Sequence, residues 1–88
     1  MNIDQILAIE VDHCPQSYAC LIYAKQNFGP GNKIIYSGDT QPVQNFINYA
    51  QGASLMIHEA TLGVGNEEKA NARKHTTTQQ VMDLVDQI

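Results

Sequence analysis

Three side chains able to bind metal or move protons stand just past the ends of predicted strands, and a fourth opens the last helical stretch. Asp39 lies in a Gly-Asp-Thr segment, Glu59 follows a short apolar run, His13 follows another, and His75 precedes the last helical stretch. Histidine and carboxylate are the ligand set that zinc takes in proteins. Because ligand sites in open α/β sheets form outside the carboxyl ends of strands, this placement is where a ligand site would be expected.

Each of these residues also has a plainer interpretation when taken alone. Asp39 could cap the helix that follows it, and a single strand-end aspartate is more often a cap than a ligand. His13 could be a loop histidine, and His75 could lie in the last turn of a basic surface helix. His58 and Glu59 could be ordinary surface residues. Only their combination favours a functional site.

Four apolar runs predict the strands that would position these residues. They cover residues 6–11, 18–24, 33–37 and 54–57. Turn-forming residues are dense over 27–32, so the second and third strands should form a hairpin.

The remaining spacing predicts three helices. The first begins at Pro42 and ends at Gly52, and the second is a polar surface helix over residues 66–74. In the third, Thr77 and Gln80 resemble a capping box. Two apolar stripes should cover one face of the sheet, and they are Val43, Phe46 and Ile47 in the first helix and Val81, Leu84 and Val85 in the third.

Length and charge limit the function classes. A chain of 88 residues is one small domain or a piece of a larger one, and it buries only about 60% of its unfolded surface. The net charge of −4 has the wrong sign for a protein that holds nucleic acid by its own surface. A nucleic-acid function therefore requires bound cations, or a basic surface elsewhere in the polypeptide.

Cysteine content and hydropathy indicate an intracellular protein without a membrane partner. Cys14 and Cys20 are too few for a disulfide framework and are expected to be reduced thiols. No apolar run approaches the roughly 20 residues of a membrane span. The compartment, whether nucleus, mitochondrion or cytoplasm, is not distinguished.

Four consecutive segments resemble motifs of ribonuclease Z, a tRNA 3′-processing endonuclease of the metallo-β-lactamase superfamily. They are VDHCPQSY at 11–18, YSGDT at 36–40, HEAT at 58–61 and KHTTT at 74–78. The long form of the family is the more similar, because Cys14 follows His13. Gly-Asp-Thr is shared across the superfamily, whereas His-Glu-Ala-Thr with the downstream histidine is much more specific. Thr76 stands where the family usually has serine.

The resemblance implies an α/β fold, roughly one half of a metallo-β-lactamase αβ/βα sandwich. Residues 1–88 would be its C-terminal half, incomplete at both ends. It also implies that His13 binds one Zn²⁺ and that Asp39 bridges the two Zn²⁺ ions of a complete site. Glu59 and His75 would be catalytic, passing a proton to the leaving 3′-oxygen, and His58 would be structural.

The implied function is a zinc-dependent endoribonuclease that removes the 3′ trailer of precursor tRNA. The family's His-x-His-x-Asp-His motif and a later histidine ligand are expected outside these 88 residues, so the isolated chain should bind zinc poorly and cut nothing. The expected partners are precursor tRNA and either the missing half of the domain or a second copy. The alternatives are an arylsulfatase- or lactonase-like hydrolase of the same fold, or a degenerate, non-catalytic module.

Overall fold

The computed structural model describes residues 2–29, 31–63 and 65–88, and within these residues four strands form one sheet. The strands are β1 (Ile3–Glu10), β2 (Tyr18–Phe28), β3 (Gly31–Tyr36) and β4 (Leu55–Ile57). All four predicted strands and the hairpin are confirmed, although β1 begins three residues before the predicted start at residue 6. Of the predicted turn, Pro30 lies outside the described residues.

The three predicted helices are also present, as α1 (Gln44–Ala50), α2 (Glu67–Arg73) and α3 (Thr78–Val85). The prediction that Pro42 occupies the first turn of α1 is wrong, because the N-cap is Val43 and the helix begins after it. The capping box is confirmed: Gln80 N donates to Thr77 Oγ1 over 3.1 Å, and Thr77 N donates to Gln80 Oε1 over 2.9 Å. No helix of the described segments is long and apolar enough to cross a membrane.

The core lies on one face of the sheet, where α1 and α3 cover it. It consists of residues from β1, β2 and β3 with residues from α1 and α3, namely Ile9, Ala19, Leu21, Ile35, Phe46, Ile47, Ala50 and Leu84. The predicted contribution of Phe46, Ile47 and Leu84 is confirmed. That of Val85 is wrong, since its side chain is 41% exposed. Successive helix positions are about 100° apart, so a helix that turns Leu84 to the sheet turns Val85 away from it.

The opposite face of the sheet is apolar and exposed. Strand pairing aligns Ile6 with Ile22 and Ile34 with Leu55 on this face. Ile6 is 57% exposed and Leu55 45% exposed, and Tyr36 and Ile57 are similarly open. This face is termed the open face below, and it comprises Ile6, Ile22, Ile34, Tyr36, Leu55 and Ile57.

The strand directions bring the predicted site residues to one edge. β1 and β3 both run antiparallel to β2, and β4 runs parallel to β3. The carboxyl ends of β1, β3 and β4 therefore point the same way, which places His13, Asp39 and Glu59 on the loops of a single edge. A bridge between Leu62 and Thr77 brings the segment containing His75 alongside them.

Candidate active site

The ends of β3 and β4 are held together by a serine and a glycine. Ser37 is fully buried, and its hydroxyl accepts a hydrogen bond from Glu59 N over 2.9 Å while donating to Gly38 O over 2.7 Å. Gly38 has a φ of 62°, and a Cβ there would lie 2.8 Å from Tyr18 O. Any larger residue would collide with the backbone of β2. The turn that presents Asp39 therefore requires glycine before it.

The carboxylate of Glu59 is almost completely enclosed by donors. Oε1 accepts hydrogen bonds from Thr40 N and His75 Nδ1, each over 2.7 Å. Oε2 accepts from Thr61 N over 3.1 Å, from Thr61 Oγ1 over 2.6 Å and from Thr76 N over 3.2 Å. An ionised carboxylate offers about four lone-pair sites, so these five bonds occupy both oxygens.

These bonds keep Glu59 ionised. Burial by itself would raise the pKa of Glu59, but the hydrogen bonds from Thr61, His75 and the backbone N–H groups of Thr40 and Thr76 outweigh it and lower the pKa to about 2. Because a carboxylate can only accept, the Nδ1 atom of His75 must carry the proton of the shared bond. Nε2 is then the ring nitrogen of His75 that remains available for proton exchange.

His75 lies beyond the end of α2. The helix ends at Arg73, Lys74 is its C-cap in the left-handed conformation, and His75 N donates to Ala70 O over 2.9 Å. The alternative that His75 lies in the last turn of a surface helix is therefore wrong. Its side chain is 19% exposed, so it borders the surface of the site.

His13 is placed against His75 by the loop after β1. The ring centroids of the two histidines are 4.7 Å apart, and His13 Nδ1 lies 2.8 Å from Lys74 O. Asp12 fixes the loop: its N–H donates to Thr40 Oγ1 over 3.1 Å, and its Oδ1 lies 3.3 Å from Lys74 Nζ. The histidine predicted from β1 and the one predicted before α3 thus share one site.

Asp39 is exposed at the same edge. Since the N-cap of α1 is Val43 and no side chain caps that helix, the alternative that Asp39 is a helix cap is wrong. Asp39, Glu59 and His75 each offer a ligand atom, and these atoms lie within 4.8 Å of one another. Because both oxygens of Glu59 are engaged by donors, the better oxygen ligand of the three is Asp39. Carboxylate and imidazole are the donor types that zinc takes, and the second ring nitrogen of His13, whose ring lies beside that of His75, is a further donor of this type.

His58 faces the interior beneath this site. Its ring packs edge-on against Phe46 with centroids 4.9 Å apart, and its Nδ1 lies 2.8 Å from Glu59 O. Burial lowers the pKa of His58, against the opposing effects of the Glu59 carbonyl and carboxylate. The surface alternative for His58 is wrong, and the geometry agrees with the predicted structural role.

Four residues of the site were not identified from the sequence in any role: Thr40, Thr61, Lys74 and, apart from its departure from serine, Thr76. They appeared only as members of the quoted motifs, and each lies within two residues of Asp39, Glu59 or His75. Thr40 and Thr76 are fully buried, and Thr76 Oγ1 donates to Thr40 O over 2.5 Å. Together they connect the loop after β3 to the segment before α3.

Sequence comparison finds tRNA-processing nucleases. The chain is 34% identical over 90 residues to the mitochondrial tRNAse Z TRZ4 of Arabidopsis thaliana, and 34% identical over 83 residues to the zinc phosphodiesterase ELAC protein 2 of Homo sapiens. The alignments cover 96% and 94% of this chain and 10% of each relative. The chain thus spans about a tenth of these relatives' length. No protein-family model matches the chain.

Comparison with solved structures finds the fold of this chain in RNase Z structures. A long-form RNase Z from yeast matches with a TM-score of 0.83 and 29% identity, over 97% of this chain and 12% of its own. The short form of human tRNase Z matches with a TM-score of 0.78 and 27% identity, over 93% of this chain and 31% of its own. These matches confirm the predicted α/β fold as part of a metallo-β-lactamase sandwich. They do not favour the arylsulfatase- or lactonase-like alternative.

Proposed function

We propose that this chain, which is a relative of ribonuclease Z, supplies part of the active site of a zinc-dependent endoribonuclease that removes the 3′ trailer of precursor tRNA. The observation that carries the proposal is the pair formed by His75 and Glu59, whose Nδ1 and Oε1 atoms are 2.7 Å apart. The pair lies beside two further predicted site residues, Asp39 and His13. A proton donor beside oxygen and nitrogen ligands suits hydrolysis of a phosphodiester.

The pair would act at the leaving oxygen. Attack of water on phosphorus, with its proton passing to a base outside these residues, would break the bond to the 3′-oxygen, so that the tRNA keeps a 3′-hydroxyl and the trailer keeps the phosphate. The departing 3′-oxygen needs a proton, and Nε2 of His75 is the ring nitrogen that can supply one. Glu59 holds the ring through Nδ1 and balances the charge of the imidazolium, which makes it a positioning residue.

His13 and Asp39 would hold the metal. We assign His13 to one Zn²⁺ and propose that Asp39 bridges it to a second, with the other ligands coming from outside these residues. When bound, zinc would polarise the phosphate and offset negative charge on the attacking and leaving oxygens. It would also supply positive charge that a chain of net charge −4 lacks for RNA.

The open face supports a proposal about the domain. Residues 1–88 would be the C-terminal half of a metallo-β-lactamase-like domain, and the apolar side chains of the open face would pack against the other half. A second copy of the chain is the other occupant proposed for that face. An intracellular location agrees with Cys14 and Cys20, which are both free thiols.

The function is tested by mapping cleavage of a precursor tRNA. A polypeptide that joins these residues to the proposed upstream and downstream ligand motifs, termed the complete polypeptide below and loaded with zinc, should cut just after the discriminator nucleotide and leave a 3′-hydroxyl. A chelator should abolish cutting and added zinc should restore it, while the 88-residue chain alone should not cut. A zinc-loaded complete polypeptide that leaves precursor tRNA intact would overturn the proposal.

A further inference from the structure

Lys74 has a backbone conformation that is unusual for a lysine residue. It has φ 55° and ψ 49°, the left-handed region, which residues other than glycine, asparagine and aspartate seldom adopt. As the C-cap of α2 it donates its N–H to the carbonyls of Ala70 and Asn71. The peptide that follows is thereby turned out of the helix direction, and its carbonyl meets Nδ1 of His13 at 2.8 Å.

This contact determines the proton position on His13. A carbonyl oxygen has no proton to give, so Nδ1 of His13 must be the donor, and in the neutral ring Nε2 then carries the lone pair. Metal-binding histidines usually have this arrangement, in which the second ring nitrogen donates to a carbonyl or carboxylate and fixes the ring. The same bond joins residues 61 positions apart in the chain.

The same peptide unit also places His75. The peptide between Lys74 and His75 contributes the backbone nitrogen of His75, which donates to Ala70 O over 2.9 Å. The side chain of His75 then reaches the carboxylate of Glu59. We propose that the left-handed Lys74 backbone is the positioning element of the site, in which one peptide unit orients a zinc ligand, His13, and the proton donor, His75. The zinc and proton-donor roles rest on the proposed function, whereas the orientation of His13 does not.

The ammonium group of Lys74 contributes less than its backbone. Lys74 Nζ lies 3.3 Å from Asp12 Oδ1, but the two side chains are 51% and 41% exposed, and such surface pairs are weak. Asp12 is also held through its N–H by Thr40 Oγ1 and through its side chain by Gln41. Removing the ammonium should therefore leave the loop of His13 in place.

The experiment separates the backbone from the charge, using the complete polypeptide. Lys74→Gly removes the ammonium, and glycine adopts the left-handed conformation freely. Lys74→Val removes the same charge but strongly disfavours that conformation. Arg73→Val is the matched control, since it changes the neighbouring cation inside the helix. The ring tautomer of His13 is read by ¹⁵N-histidine NMR on metal-free protein, with His13→Gln for assignment, and zinc affinity by titration.

The expected result is the Nδ1–H tautomer of His13 in the unaltered protein, Lys74→Gly and Arg73→Val. Lys74→Val should lose that preference and bind zinc about 10–100 times more weakly, as for other lost partners of metal-binding histidines. An Nε2–H tautomer in the unaltered protein would overturn the inference. The inference would also be overturned if Lys74→Val kept both the tautomer and the zinc affinity of the unaltered protein. It would be overturned as well if Lys74→Gly bound zinc about 10-fold or more weakly.

A thermal melt and a cleavage assay separate misfolding and failure of the proposed function from failure of this inference. If a thermal melt shows that Lys74→Val does not fold, the tautomer of the unaltered protein and the zinc affinity of Lys74→Gly decide the question. If the tautomer is as expected but precursor tRNA is not cut, the proposed function fails and the orientation of His13 by Lys74 stands.

Discussion

The ring of His75 and the carboxylate of Glu59 meet at 2.7 Å although 16 positions separate them in the chain. The contact exists because Glu59 is already fixed by donors from three threonines, so the histidine meets a carboxylate that is ionised and immobile. A charge-assisted bond of this length is stronger than one between neutral groups. The properties of the His75–Glu59 pair should therefore change when a threonine is replaced, as well as when His75 or Glu59 is replaced.

Replacing Thr61 with valine should raise the pKa of Glu59 above about 2. Valine keeps the size of the side chain but removes the 2.6 Å bond from Thr61 Oγ1 to Oε2. The loss should also cost about 0.5–1.5 kcal/mol of stability, the usual net contribution of a hydrogen bond, because this bond is open to solvent. NMR titration of the Glu59 carboxyl and a thermal melt would measure both. Thr61→Ser, which keeps the hydroxyl, is the control, and an unchanged pKa in Thr61→Val would contradict the account.

Acid should destabilise the protein through Glu59. Its folded-state pKa of about 2 lies below the ordinary value of 4.5, so its contribution is fully present above pH 4.5 and is lost as the pH falls towards 2. Glu59→Gln should remove this part of the pH dependence, since glutamine does not titrate. Glu10→Gln, at an exposed position of β1, should keep it. Denaturant unfolding at several pH values would show the difference, and equal slopes for both variants would count against the prediction.

Asp39→Ala should release at least one zinc and abolish cleavage in the complete, zinc-loaded polypeptide. A carboxylate that bridges two metals holds both of them, so its loss opens the clamp. Elemental analysis gives the zinc content, and Asp4→Ala, another exposed aspartate, serves as the control. Unchanged zinc stoichiometry in Asp39→Ala would refute the bridging role.

The isolated 88-residue chain should self-associate or unfold easily. Its open face exposes large apolar side chains in three strands, including Ile6 at 57%, Tyr36 at 47% and Ile57 at 47%. Sedimentation and a thermal melt test this, and Ile57→Lys should reduce association. A cooperative melt by a monomer in the ordinary mesophile range would contradict the half-domain proposal.

The sequence predicted those parts of the molecule that depend on local pattern. Apolar runs located all four strands, and strand ends located His13, Asp39 and Glu59, because parallel strands share an edge. The four threonine donors around Glu59 could not be predicted, since three of them are backbone N–H groups whose directions depend on how separate loops pack. The position of the Lys74 carbonyl could not be predicted either, because nothing in a lysine side chain indicates a left-handed backbone.

The role of His75 is tested first by its removal. In the complete enzyme, His75→Ala should keep its zinc and lose about 10²–10⁴ in rate, the usual effect of a positioned general acid. Glu59→Ala should cost less because it acts through His75. The double variant should cost little more than His75→Ala, since residues that work as a unit are not additive.

The most direct measurement compares two leaving groups in the His75→Ala variant. A phosphodiester with a nitrophenolate leaving group needs no proton from the enzyme, whereas the 3′-oxygen of tRNA does. His75→Ala should therefore slow cleavage of precursor tRNA by about 10²–10⁴ and slow cleavage of the nitrophenyl ester far less. If both substrates lose the same factor, or if zinc is lost with the side chain, His75 is a ligand or a scaffold residue and the account is contradicted.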